Sequence, residues 1–207
     1  MFYDILNKNR IDVLPKLSFL KDRFYLAGGT GLALQLGHRD SVDFDFFTEK
    51  DFNTFDLYKE LLEKFGQENI SKTLEEKNTL NVILNGNIKL SFFSYPYFLL
   101  EPIIKEEFLN IASVADIGCM KLSAVVGRAV EKDYIDLYFI LKQITLPNLL
   151  LQAKEKMPDL DQNLILKSLI YFDDVEKENI ISKHNFEVTF DEVEIFLEGE
   201  VRKVAVQ

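Results

Sequence analysis

The spacing of hydrophobic positions changes character along the chain. Residues 11–21 (IDVLPKLSFLK) carry apolar side chains at helical intervals, and 24–27 (FYLA) is a short β-favourable run. The glycines of 28–31 (GGTG) break that run, and 30–37 (TGLALQLG) reads as a helix closed by Gly37. Alternation at 42–47 (VDFDFF) predicts a strand, and 54–65 (TFDLYKELLEKF) predicts an amphipathic helix ended by Gly66. Strands are also expected near 79–84 and 87–94. Asn85-Gly86 joins them, a pair that accepts the left-handed angles of a tight hairpin. A short apolar run at 109–112 precedes a purely helical stretch.

Ser113 with Asp116 three residues on resembles a capping box, with Asp in place of Glu, opening a helix to about 128. Further helices are expected over 131–143, over 147–156 with Pro147 in the first turn, over 161–172 and over 190–204. Strands with interleaved helices, then helices alone, predict an α+β fold. A small mixed sheet flanked by helices would occupy 1–112, and a helical region 113–207 would pack against it, with a soft boundary near 113.

The 207 residues, 47% apolar and 28% charged, suffice for a core without disulfides or metal staples. One cysteine, Cys119, excludes a disulfide framework. Two histidines, His38 and His184, exclude a Cys/His zinc site and disfavour a His-based triad. No run approaches 18 uncharged apolar residues, and the first ten residues lack the apolar core of a signal peptide. A soluble, cytoplasmic protein without a membrane partner is expected. The net charge of −10 argues against a general nucleic-acid coat, so any nucleic-acid partner must meet a local basic patch.

Three groups of residues could carry chemistry. Gly28-Gly29-Thr30 stands at a strand-to-helix junction, where bare backbone and free N–H groups can cradle a phosphate; the same glycines would also serve a simple tight turn. Asp43 and Asp45, two apart on a strand, share one face while Phe44 and Phe46 share the other. Convergent carboxylates suit Mg²⁺, although an acidic solvated edge strand has the same pattern. Lys121 and Arg128, seven apart on a helix, are suitable phosphate binders, with Lys132 near the start of the next helix. Asp133 and Asp136 share a face of that helix; solvated Lys/Asp pairs are the alternative reading.

Taken together, GGTGLALQLGHRDSVDFDFF resembles the signature of the nucleotidyltransferase superfamily that includes DNA polymerase β. More narrowly, GGT…GHR.S.DFDFF, MKL…GR at 120–128 and KDYIDLY at 132–138 are similar to the AbiEii/AbiGii toxin family, nucleotidyltransferase toxins of abortive-infection and type IV toxin–antitoxin systems. The resemblance covers roughly 24–138, and YFDDVEKE at 171–178 is also typical. It implies a nucleotidyltransferase-like fold with the site between the sheet and the helical part. The NTP phosphates would be held by Gly28, Gly29 and Thr30, with Arg39 and Ser41 supporting the approach to the acidic strand. Asp43 and Asp45 would bind Mg²⁺. Lys121 would contact the phosphates with support from Arg128, and Asp133 or Asp136 would complete the site. Expected partners are an NTP, a tRNA or protein acceptor and a cognate antitoxin. The chain departs from the superfamily at Ser91, where a third carboxylate is often found; 87–94 should lie beside 42–47 with Ser91 facing the acidic pair.

Overall fold

The computed structural model describes residues 1–183 and 186–205, so His184 lies outside the described residues. Helix α1 (Lys8–Leu17) starts where the Asn7 side chain accepts from the Arg10 N–H, earlier than periodicity suggests, and encloses Pro15. Strand β1 (Tyr25–Ala27) runs directly into α2 (Gly28–Leu36), so both glycines fall in the helix's first turn. Strand β2 (Phe44–Thr48) leads to α3 (Thr54–Phe65), which is capped by the Asn53 side chain. Strands β3 (Ile70–Glu76), β4 (Thr79–Leu84) and β5 (Ile88–Ser94) follow as consecutive hairpins, and the Asn85-Gly86 turn takes φ of 50° and 75°. Two-residue strands β6 (Ile104–Lys105) and β7 (Asn110–Ile111) complete the sheet.

The helical stretch comprises α4 (Val114–Gly127), α5 (Glu131–Leu141), α6 (Leu146–Lys156), α7 (Gln162–Ser168) and α8 (Phe190–Ala205). Ser113 caps α4 by accepting from the Asp116 N–H, as its spacing predicts. The seven strands form one mixed sheet in the order β3-β4-β5-β2-β1-β7-β6. Strand β3 has no counterpart in the sequence reading. It is an edge strand with one buried residue followed by six exposed ones, so it carries no alternation to detect.

Strand β2 lies inside the sheet, antiparallel to β1 and parallel to β5. Its alternation sorts side chains as predicted. Phe44 and Phe46 enter an apolar core with Leu57 and Leu61 of α3 and Val13, Leu14 and Leu17 of α1. Alternation on β1 also links two cores: Leu26 joins the first, while Tyr25 and Ala27 join a second with Ile117, Leu122, Leu137 and Ile140 of the helical stretch. The helices therefore rest on the face of the sheet from which the β2 carboxylate projects.

Candidate active site

A cleft of about 540 Å³ opens between the sheet and helices α4 and α5. The sheet side contributes Gly28, Gly29, Asp43, Asp45, Lys89 and Ser91; the helical side contributes Met120, Lys121, Arg128, Lys132 and Asp133. The segment 178–181 closes a third side. It is hydrogen-bonded at both flanks: the Asp40 N–H donates to the Ile181 carbonyl, and the Glu131 N–H donates to the Glu176 carbonyl.

Gly28 has φ of +61°, and a Cβ built there would stand 2.8 Å from Asp45 Oδ2. Any other residue would meet both the left-handed backbone cost and a collision with the carboxylate. A Cβ at Gly29 would collide with the Arg39 guanidinium, which lies against the bare backbone. Glycine at these two positions lets an acid and a base approach one helix N-terminus. Thr30 plays a different part from the phosphate contact expected of it. It is 1% exposed and does not line the cleft, because its hydroxyl is spent on the Asp43 carbonyl and on Ser41 Oγ at 2.7 Å. Those bonds fasten the loop that leads into β2.

Asp43 precedes β2 and Asp45 lies within it, both on the cleft face. Burial raises the pKa of Asp45 and the neighbouring Asp43 raises it further, while Lys89, the Ser91 hydroxyl and Lys121 oppose the rise. Ser91 lies on β5 directly across from Asp45 in the parallel register, as its spacing predicts. The buried Ser91 Oγ forms no hydrogen bond of ordinary geometry, yet lies near enough to favour the Asp45 carboxylate. Among the described residues, no three His, Cys, Asp or Glu side chains converge as a metal-binding group.

On the helical side a buried network replaces the solvated Lys/Asp pairs that the sequence also allowed. Lys121 is 5% exposed, and Asp133 and Asp136 are fully buried. The Lys121 ammonium reaches Asp133 Oδ1 at 2.6 Å and Asp136 Oδ2 at 2.5 Å. Arg39 donates to both Asp136 oxygens at 2.7 Å, a bidentate fork, and His38 Nε2 lies 2.8 Å from Oδ1. Burial alone would raise the Asp136 pKa, but Arg39 and Lys121, with the His38 bond, hold it well below the ordinary carboxylate range. Asp136 does not line the cleft; it stands behind Lys121 and Arg39 and fixes their positions. Arg128 donates to Asp133 at 2.9 Å from a largely exposed side chain, and Lys132 pairs with Glu178 at 3.0 Å.

Sequence reasoning passed over three contributors. Lys89 stands two residues before Ser91 and so shares its strand face, a signal that was available in the spacing. His38 adjoins Arg39 but joins the network only because α5 packs against the loop. The 178–181 wall comes from a segment without regular structure, which leaves no periodic signal.

The arrangement offers two carboxylates facing fixed cations across a cleft that begins at a helix N-terminus. Known proteins are similar to this chain in sequence and in fold. An uncharacterised protein of Aquifex aeolicus (strain VF5) is 38% identical over 206 residues, spanning 96% of this chain and 97% of its own. JHP933 of Helicobacter pylori has a similar structure, with TM-score 0.57 and 19% identity over 97% of this chain and 91% of its own. MenT4, a nucleotidyltransferase toxin of Mycobacterium tuberculosis H37Rv, matches at TM-score 0.53 and 16% identity over 93% of this chain and 80% of its own. A family model for nucleotidyl transferase AbiEii toxins of type IV toxin–antitoxin systems matches residues 12–198, nearly the whole length, and the chain belongs to that family.

Proposed function

We propose that this nucleotidyltransferase toxin transfers NMP from a bound NTP to a hydroxyl of an RNA, with a tRNA 3′ end as the leading acceptor and a protein hydroxyl as the other. The observation that carries the reading is the pair Asp43 and Asp45 on one cleft face, opposite Lys121 and below the bare backbone of Gly28 and Gly29. The acceptor oxygen forms a bond to the α-phosphorus as the α–β bridging bond breaks. Pyrophosphate leaves with the electron pair, and the hydroxyl proton passes to solvent.

The acidic pair fits Mg²⁺: Asp43 and Asp45 offer hard oxygen donors on one cleft face, and a bound cation would relieve the repulsion that adds to burial in raising the Asp45 pKa. When bound, Mg²⁺ would supply electrostatic stabilisation of the charge that develops on the phosphates. Gly28 and Gly29 admit phosphate close to the α2 N-terminus. Arg39 and Lys121, held by Asp136, present fixed positive charge that needs no reorganisation during reaction. Arg128 and Lys132 stand nearer the exposed rim. Asp133 takes part through its hold on Lys121 and Arg128. The helical region from 113 and the sheet region to 112 supply opposite walls of one site. Among the described residues, no helix is long and apolar enough to cross a membrane. Membership in a toxin family supports a cognate antitoxin encoded beside this chain and a part in abortive infection, with the cytoplasm as the place of action.

Radiolabelled NTPs, offered with total RNA, with cell protein and with aminoglycosides in separate reactions, test the assignment. Label entering the RNA pool, and lost with Asp43→Asn, is the expected result. Label entering only aminoglycosides would replace the acceptor class. No label in any pool would remove the activity.

A further inference from the structure

Among the described residues, five basic side chains line the cleft, and four are already matched by carboxylates. Arg39 is held by Asp136, Lys121 by Asp133 and Asp136, Arg128 by Asp133, and Lys132 by Glu178. Lys89 differs. Its ammonium makes no hydrogen bond or ion pair with any described residue. The backbone that presents it is rigid, because Ile88 and Leu90 on either side are fully buried and β5 is paired with both β4 and β2. The side chain is half-buried and leaves the sheet on the face that carries Asp45 and Ser91. The Asp45 carboxylate feels its charge without a hydrogen bond between them, so the donors of the ammonium remain open to an entering anion.

We infer that Lys89 contacts the phosphates of the bound nucleotide from the sheet side, as the one cleft cation that forms no ion pair with a protein carboxylate among the described residues. This inference rests on the reading of the cleft as the NTP site and adds to it a phosphate contact from the sheet side. Ser91 belongs to the same logic. With a serine across from Asp45, the wall around the entering phosphates carries two acids and one base. A third carboxylate at this position would face the incoming polyanion beside Lys89 and cancel its charge. Lys89 thus lets triphosphate approach the acidic pair against reduced repulsion, before any divalent cation is counted.

Calorimetric binding of inorganic tripolyphosphate and of each of the four ribonucleoside triphosphates, in chelator and again with Mg²⁺, tests this on the full chain. Lys89→Met should weaken tripolyphosphate and all four NTPs by roughly 10- to 100-fold, the scale of one charge-assisted hydrogen bond, in both conditions. The order of preference among the four bases should not change. Lys89→Arg keeps the charge and should retain most of the affinity. Wild-type affinity in Lys89→Met, or an equal loss in Lys89→Met and Lys89→Arg, overturns the role of Lys89 while leaving the cleft as the nucleotide site. Unchanged NTP affinity with weakened RNA binding overturns it as well, and moves Lys89 to the acceptor. If the unaltered protein binds neither tripolyphosphate nor any NTP, the nucleotide reading of the cleft falls and this inference with it.

Discussion

Asp45 combines two demands at a single position: it must sit in a packed strand between Phe44 and Phe46, and it must present charge to a cleft. Burial and Asp43 raise its pKa, so its ionised form costs folding stability. The sign follows from that direction. A carboxyl whose folded pKa exceeds its unfolded value of about 4 contributes most below that pH, and the contribution is lost as pH rises through the folded pKa. Asp45→Asn should therefore raise the melting temperature at pH 7 in chelator, by about 2–4 °C for each kcal/mol relieved in a chain of this size. The difference from wild type should disappear near pH 4. The same variant should lose about 100-fold or more in transfer rate, as when one electrostatic stabiliser is removed. Thermal melts across pH and an NMP-transfer assay check both halves, and wild-type activity in Asp45→Asn would remove the metal-site assignment.

At the scale of elements, α5 does more than present acids to a site. Through Asp133 and Asp136 it ties α4, by Lys121, to the loop that carries His38 and Arg39. Those charges are buried and mutually satisfied, so removing one leaves the others without partners. Asp136→Asn should destabilise the protein by about 3–5 kcal/mol, the usual cost of breaking a buried ion pair from one side. Denaturant titration measures it, and a loss below about 1 kcal/mol would show that the network is slack. The pH behaviour is opposite to that of Asp45. Asp136 has a depressed pKa, so its contribution is present above the unfolded value near 4 and is lost as pH falls through the lower folded pKa. Acid unfolding of wild type should thus be steeper below pH 4 than that of Asp136→Asn.

For the whole molecule, catalysis depends on how the sheet and the helical stretch face each other, because Asp43 and Asp45 come from one and most cations from the other. Two carboxylates beside a serine hold little negative charge for a cation on their own. Mg²⁺ should therefore bind the nucleotide-free protein weakly and bind well only with NTP, whose phosphate oxygens add donors. Ser91→Asp should strengthen Mn²⁺ or Mg²⁺ binding without nucleotide. Calorimetry on both proteins decides it: tight binding by the unaltered nucleotide-free protein, or no change in Ser91→Asp, would show that Ser91 does not shape the metal site.

Local pattern was enough for much of this. Alternation in VDFDFF put Phe44 and Phe46 in the core and the acids on the other face, because strand side chains must alternate. Asn85-Gly86 specified its hairpin, and Ser113 its helix start, because both act through the backbone within a few residues. Edge strand β3 escaped because its exposed side chains answer to no core. What tertiary structure alone decided is which charges are buried together. Lys156, at the end of the helix expected over 147–156, is fully buried against Asp116 at 2.8 Å. For Asp136 the sequence allowed either a solvated pair or a place in the site, and it is enclosed by Arg39, His38 and Lys121. Burial of a charge is set by partners that can lie nearly 100 residues away, as Arg39 does from Asp136, and no local period records them. Residue types, spacing and backbone chemistry determined the elements and the candidate acids. Only the packing of α5 against the loop before β2 decided that Asp136 holds the cations in place, and that Lys89 is left facing the cleft without a carboxylate partner among the described residues.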